Sequence, residues 1–278
     1  MTYQPVIPLP GLGGWNFLQA TYDRQFDTFS NTFQIKDDTE YLKEKLSQRP
    51  AVEDFLSDPR LRRITLTAFG LDGEEWKVGF HRKVLEEKQD PDSTFLQRLN
   101  NPQYTRFADA LSPIDGELVL SSDQIDQIAA RYAAESFELA VGEQNNSMRL
   151  SLNYQSEIAE IATDGSTDET IIFRILGDVP IRSVLETALS IPSDIGQLDL
   201  DRQADYFTER LRSQFNISSL QDLKNPEIIE KMIARYQAID GINQNSATLS
   251  SASTALTLLQ NASGFGALAS QNLFLSSF

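Results

Sequence analysis

Aromatic and aliphatic residues near the start of the chain recur every three or four positions, which is the periodicity of an α-helix. They are Trp15, Phe17, Leu18, Tyr22, Phe26 and Phe29. The series predicts a helix over residues 15–29. We interpret its aromatic face as part of the core, and a binding groove is the alternative. Residues 1–14 contain Pro5, Pro8 and Pro10, so they predict an extended N-terminal arm.

A recurring helix start places a side-chain acceptor directly before a proline. It occurs as Asp58-Pro59, Asn101-Pro102 and Asn225-Pro226. A helix leaves its first N–H groups unpaired, so an acceptor at the N-cap stabilises it and a proline at the next position costs nothing. Asp58, Asn101 and Asn225 are therefore predicted N-caps. Asp37 and Glu40 have the spacing of a capping box, which predicts a further helix over residues 38–47.

The middle of the chain also shows helical patterns. Ser121 or Ser122 is expected to cap a long helix that continues, with a kink at Gly142, toward Ala162. Residues 170–176 have the composition of a strand, but no second β-rich run exists to pair with them, so we predict helical or irregular structure there. The pattern as a whole predicts an all-α, multi-helix globule.

Two segments at a distance from each other share a pattern. Residues 62–71 end in Thr-Ala-Phe-Gly-Leu, and residues 182–191 end in Thr-Ala-Leu-Ser-Ile. Both predict a helix that ends in a tight, apolar turn, with Gly70 at the C′ position of the first. This similarity suggests two related helical units, about residues 35–112 and 178–239, within a helical domain of residues 15–243. The alternative is a chance match between short amphipathic helices.

The C-terminal segment differs from the rest of the chain because no charged residue follows Asp240. Residues 244–278 predict an uncharged, flexible tail with one short helix over residues 254–260. The alternative is a segment that docks on a partner or on a neighbouring copy, which would allow self-association.

Charge and composition narrow the classes of partner. The formal net charge of −16 opposes binding to nucleic acid and to anionic lipid surfaces. No uncharged run reads as a membrane-spanning helix, and the start lacks the basic region of a cleaved signal peptide. The expected partners are therefore proteins, without nucleic acid and without membrane insertion. The chain has no cysteine, which removes disulfides and thiolate chemistry.

The sequence contains little that predicts catalysis. The one histidine, His81, is expected to have a surface or half-buried structural role. The glycine-rich segment from Gly11 to Gly14 lacks the preceding strand that a phosphate-binding loop requires. We therefore predict a protein that is not an enzyme, with no catalytic, cofactor-binding or metal-binding residues and no cofactor. A hydrolase with a carboxylate-based site is a distant alternative, favoured only if the fold brings His81 into a pocket with two carboxylates.

The chain contains an ordered series of short motifs: Asp58-Pro-Arg-Leu, Ala68-Phe-Gly-Leu-Asp, Lys83-Val-Leu-Glu, Leu99 to Tyr104, Phe137-Glu-Leu-Ala-Val-Gly-Glu-Gln, Met148-Arg-Leu-Ser-Leu-Asn, Glu186-Thr-Ala-Leu-Ser-Ile-Pro and Leu198-Asp-Leu-Asp-Arg-Gln. This series resembles an uncharacterised alphaproteobacterial domain-of-unknown-function family, often encoded in flagellar gene clusters, and the resemblance covers about residues 8–235. At Ser190 the sequence departs from the glycine of the family, which bears on the geometry of that turn.

The resemblance implies a helical fold and an association with flagellar assembly or motility, with no catalytic residue to carry over. We expect a flagellum-associated binding or assembly protein located in the cytoplasm or at the flagellum, with flagellar components as its partners. The alternative is a protein exported through the flagellar secretion apparatus that becomes a structural or hook-associated component.

Overall fold

The structure is a computed structural model that describes residues 3–90, 92–99, 101–163 and 166–244. The helices are α1 Gly11–Ser30, α2 Phe33–Ser47, α3 Val52–Ser57, α4 Pro59–Ala68, α5 Val78–Gln89, α6 Phe95–Leu99, α7 Pro102–Ala110, α8 Ser122–Gln144, α9 Asn146–Ile161, α10 Asp168–Gly177, α11 Val179–Ala188, α12 Leu200–Phe215 and α13 at residues 226–244. Within these ranges there is no strand, only isolated bridges around Ile114–Glu117, so the all-α prediction is confirmed. The residues predicted to be helical or irregular at 170–176 lie in α10.

Helices α8 and α9 form an antiparallel hairpin at the centre of the fold. The single helix with a kink at Gly142 was a wrong prediction, because the chain reverses at Asn145, which has an extended conformation. The Asn145 side chain accepts hydrogen bonds from the N–H groups of Ser147 and Met148, so it ends one helix and caps the next. Ser121 caps α8 in a capping box with Gln124, as predicted for this position.

The remaining helices pack on the two sides of this hairpin. Helices α2 and α4 contact α8, while α10 and α11 contact α9. The buried apolar residues form one continuous cluster that includes Leu46, Phe137 and Val184. The described helical region therefore has one hydrophobic core.

The three predicted N-caps are confirmed. Asp58 accepts hydrogen bonds from the N–H groups of Arg60 and Leu61, at 3.0 and 2.9 Å. Asn101 accepts from the N–H group of Tyr104, and Asn225 accepts from that of Glu227, both at 3.0 Å. These side chains fix the starts of α4, α7 and α13.

The capping box predicted at Asp37 and Glu40 is wrong. Helix α2 begins at Phe33, after Thr32, so both acids lie inside the helix. The next residue, Asp38, is buried, with only 4% of its surface exposed. Its role is in tertiary contacts, described below, and not in the start of a helix.

The two similar segments end their helices in the same way. Gly70 has a φ of 68°, and the N–H of Leu71 donates to the carbonyl of Leu66. Ser190 has a φ of 52°, and the N–H of Ile191 donates to the carbonyl of Glu186. Both are Schellman turns, which confirms Gly70 as a C′ residue and shows Ser190 in a conformation that favours glycine. The duplication of whole units remains a prediction.

The N-terminal arm is shorter than predicted, because α1 begins at Gly11 and not near Trp15. From Tyr3 to Pro10 the chain is extended and runs back along α1. The carbonyl of Leu9 lies so close to Gly14 that a Cβ atom there would be 1.8 Å from its oxygen. A glycine at position 14 is therefore required for this approach.

Most of the aromatic face of α1 packs on the core, as predicted, but Phe17 of the predicted series is exposed. Trp15 and Phe29 are buried, and the rings of Tyr22, Phe26 and Phe29 surround Phe137 of α8 with centroid distances of 5.4–5.7 Å. Of the uncharged tail, only Gln244, the last residue of α13, lies within the described residues. The short helix predicted over residues 254–260 lies outside them. Among the described helices, none has the length and apolarity needed to cross a membrane.

Candidate protein-binding surface

His81 lies in the interior and not at the surface, so the prediction of an exposed or half-buried residue was wrong. Its side chain on α5 is fully buried beside the rings of Tyr104 and Phe107 on α7. Burial lowers the pKa of His81 to about 4, so the imidazole is neutral at pH 7. Among the described residues, neither ring nitrogen has a hydrogen-bond partner. The residue is part of the core, and the pocket on which the hydrolase alternative depends is not formed around it.

The buried Glu138 and the half-buried Glu135 form an acidic pair on α8. Glu138 is 8% exposed and faces α9, where Ser156 lies 3.4 Å from its carboxylate. Burial raises the pKa of Glu138 to about 8, and the nearby Glu135 adds to this rise. Burial also raises the pKa of Glu135 itself to about 7. The pair titrates near neutral pH, so it links the packing of α8 on α9 to pH.

A second buried group, Asp38, joins three helices. Its carboxylate accepts hydrogen bonds from Arg60 Nε at 2.9 Å, Arg63 Nη2 at 2.8 Å and Tyr132 Oη at 2.6 Å. Burial alone would raise the pKa of Asp38, but these three hydrogen bonds lower it. The cluster fixes α2 against α4 and α8, and its members are fully engaged with each other.

A cavity of about 550 Å³ lies between α5, α7, α9 and α10. Acidic and basic side chains both line it. Lys88 pairs with Asp109, and Arg106 pairs with Glu160 and with Glu157 beside the cavity. Because the two signs of charge are mixed around the cavity, its lining favours no one class of ligand. Among the described residues no group of three or more potential metal-binding side chains occurs.

Apolar side chains are exposed along the arm, on the first two turns of α1 and at the end of α13. The residues are Val6, Leu9, Leu12, Phe17 and Ile242, which we call the terminal surface. Their exposed fractions range from 36% to 64%. Val6 and Leu9 belong to the arm, Leu12 and Phe17 to the first two turns of α1, and Ile242 to the end of α13.

The terminal surface has a fixed backbone. Gln25 of α1 is buried, and its amide group accepts from the N–H of Val6 at 2.7 Å and donates to the carbonyl of Val6 at 3.2 Å. The ring of Tyr3 packs edge-on against Phe29. These contacts hold the arm against α1, so its outward side chains are presented from an ordered segment.

Helix α13 closes the other side of the surface. A Cβ atom on Gly241 would lie 3.6 Å from the Cα of Gly11, so the start of α1 and the end of α13 are in close contact. Leu12 and Ile242 directly follow these glycines in the sequence. A groove of about 270 Å³ lies between the arm and the middle of α1, and it is lined by Tyr3, Val6, Phe17, Arg24, Gln25 and Thr28.

The family of the chain is shown by a match over most of its length. A family described as protein of unknown function (DUF1217) matches residues 68–229. The chain belongs to this DUF1217 family. Membership in a domain-of-unknown-function family, predicted from the short motifs, is thereby confirmed. The arm, α1 and most of α13 lie outside the matched residues, so the terminal surface of this DUF1217 protein is argued from its own residues alone.

A solved structure supports the fold of this DUF1217 protein. The X-ray crystal structure of protein AGR_C_984 from Agrobacterium tumefaciens aligns with a TM-score of 0.67 and 22% sequence identity. The alignment covers 85% of this chain and 97% of that chain. At this identity the likeness concerns the fold alone. No curated protein matches the chain.

The sequence did not predict the terminal surface, the acidic pair or the Asp38 cluster. The exposed apolar points of the arm were visible as a pattern, but their exposure depends on the bond between Gln25 and Val6. Glu138 lies in a helix of ordinary amphipathic pattern, and only the packing of α9 shows that it is buried.

Proposed function

We propose that this protein is a non-enzymatic binding or assembly protein associated with the flagellum, and that it contacts a flagellar component through the terminal surface. The observation that carries the binding role is a set of exposed apolar side chains held on an ordered arm and helix. Exposed apolar groups that are grouped and rigidly held are typical of protein interaction sites. The flagellar association rests on the resemblance in short motifs described above.

The charge distribution supports a protein partner that binds by apolar contact. Residues 1–22 contain no Asp, Glu, Lys or Arg, although the whole chain has a net charge of −16. Docking at this surface would therefore bring few like charges together, and its strength should depend weakly on salt. Charge steering, which needs complementary potentials, would contribute little there.

The experiment places a photo-reactive amino acid at the terminal surface in the native flagellated cell. Leu12 is replaced in one variant, and Phe33, which is 84% exposed at the start of α2, is replaced in the control. We expect adducts with flagellar structural or export proteins at position 12 and few at position 33. The proposal fails if position 12 gives no flagellar adduct, or if both positions give the same adducts at the same yield.

A second candidate function is an exported structural or hook-associated component of the flagellum. The observation that favours it is the uncharged C-terminal segment, which is a break in the composition of this acidic chain. Cell fractionation distinguishes the two candidates. An exported component would be recovered with the extracellular filament and hook, whereas an accessory factor would stay with the cell body.

A further inference from the structure

We propose that residues 245–278 of the same chain dock on the terminal surface and cover it until a partner displaces them. This inference rests on the proposed function, because it concerns the regulation of the same surface. It is argued from the position where the described chain ends, from the chemistry of both segments and from the effect of the covalent connection.

The described chain ends beside the terminal surface. Gln244 Nε2 donates to Ser147 Oγ at 3.0 Å and to Asp240 at 2.5 Å, which fixes the end of α13 against the start of α9. Three residues earlier, Gly241 is in contact with Gly11 at the start of α1. The described chain therefore ends within one helical turn of the contact between Gly241 and Gly11, which Ile242 and Leu12 adjoin in the sequence.

The two segments have matching chemistry. Residues 245–278 contain no Asp, Glu, Lys or Arg and include leucines and phenylalanines in spaced positions. The side chains of the terminal surface are also apolar, and the exposed Arg24 is the charged residue that lines the groove beside Val6 and Phe17. Contact between the two segments would bury apolar area and would bring no charge of residues 245–278 out of water, which makes the contact favourable.

The groove beside the arm suits side chains and not a separate small molecule. Its volume of about 270 Å³ is at the lower limit of ligand pockets, which are typically ~300–1,000 Å³. The sides of the groove are formed by Val6 and Phe17, with the polar groups of Gln25 already engaged by the arm. One or two apolar side chains from an extended segment would fill it.

The covalent connection favours the segment of the same chain over a second copy. A segment tethered by a short linker has an effective local concentration in the millimolar range, which exceeds the concentration of other copies in most conditions. About ten extended residues span roughly 33 Å, which is longer than the ~30 Å of a 20-residue helix such as α1. Residues 245–278 can therefore reach every part of the terminal surface.

The experiment compares the full-length chain with a variant that ends at Gln244. Hydroxyl-radical footprinting measures the modification rates of Leu9, Leu12 and Phe17, with Phe33 as an internal control. A contact with a Kd of about 0.1 mM and a millimolar effective concentration would lower the rates roughly tenfold in the full-length chain. We expect the shortened variant to lose this protection while the rate at Phe33 stays the same.

A full-length variant distinguishes the effect of lost docking from the effect of removing residues 245–278. Phe274→Asp combined with Leu258→Asp keeps the length but places charges in the segment, so it should show the rates of the shortened protein. Protection that rises with protein concentration, together with a dimer in analytical ultracentrifugation, would show docking on a second copy and overturn the proposal. Equal rates in all three proteins would overturn it as well.

The failure of this inference is distinguishable from the failure of the proposed function. Equal footprinting rates together with flagellar adducts at position 12 would support the proposed function and reject the docking of residues 245–278. Protection by residues 245–278 together with no flagellar adduct at position 12, in either the full-length or the shortened chain, would support the docking and reject the flagellar partner. If both proposals are correct, the shortened chain should give a higher yield of flagellar adducts at position 12 than the full-length chain.

Discussion

Glu138→Gln should make the protein more stable at alkaline pH than the wild type. In the wild type, Glu138 is buried between α8 and α9 with its pKa raised to about 8, against an ordinary value of 4.5. Between these values the folded state holds a proton that the unfolded state has released. The stability therefore falls as the pH rises through this range and reaches its lower level above about pH 8.

The size of the effect follows from the range of pH that is measured. One pKa unit corresponds to about 1.36 kcal/mol, so the range from pH 6.5 to 8 corresponds to about 2 kcal/mol of lost stability. Starting at pH 6.5 avoids most of the contribution of His81, whose pKa is lowered to about 4 and whose effect has the opposite sign. A glutamine at position 138 has no proton to lose, so it should remove most of this loss.

The assay is urea unfolding followed by circular dichroism at pH 6.5, 7.5 and 9, with the free energy of unfolding obtained by linear extrapolation. The matched control is Glu143→Gln, which removes the same charge from an exposed position on the same helix. It should change the stability by less than about 0.5 kcal/mol at each pH. A wild type whose stability is flat from pH 6.5 to 9, or a Glu138→Gln variant that keeps the wild-type slope, would refute the reasoning.

Three further predictions concern single side chains. Asp38→Asn should lower the free energy of unfolding in urea by about 3 kcal/mol, because Arg60 and Arg63 lose their shared carboxylate. The control Asp37→Asn, at the half-exposed neighbour, should lower it by under about 1 kcal/mol. Equal losses in the two variants would contradict the role of Asp38. Asp58→Ala should cost about 1 kcal/mol and increase hydrogen exchange in the first turn of α4, and unchanged exchange would exclude the cap. His81→Phe should shift the change in stability between pH 6.5 and pH 5 by about 2 kcal/mol in favour of pH 5, relative to the same change in the wild type, since the lowered pKa of His81 makes its protonation unfavourable in the folded state while Glu138 contributes equally to both proteins. An identical change in both proteins would show that His81 is not buried as a neutral group.

The features that the sequence predicted well are those that depend on neighbouring residues. The N-caps at Asp58, Asn101 and Asn225 involve groups within three positions, and the turn at Gly70 involves five. Their energetics are local, so a short pattern contains the information. The same holds for the aromatic face of α1, whose period fixed both its structure and its buried side.

The features that the sequence did not predict depend on groups far apart in the chain. Asp38 was predicted only as the first residue of a helix after Asp37, but its carboxylate accepts hydrogen bonds from Arg60, Arg63 and Tyr132 of two other helices. The reversal at Asn145 has no proline or glycine beside it, so the helical pattern continues through it. The terminal surface was also not predicted, because the hydrogen bonds between Gln25 and Val6 join a residue of α1 to a residue of the arm.

The single hydrophobic core has a consequence for how pieces of this protein should be expressed. The family match begins at residue 68, at the end of α4, and stops at residue 229, early in α13. A fragment with those ends would lack α1, α2 and nearly all of α4, which together cover one whole side of α8. Phe137 and Tyr132 would then face water, and the fragment should collapse into a loosely packed or aggregated state. The stretch matched by the family is therefore shorter than the stretch of chain that shares the single core.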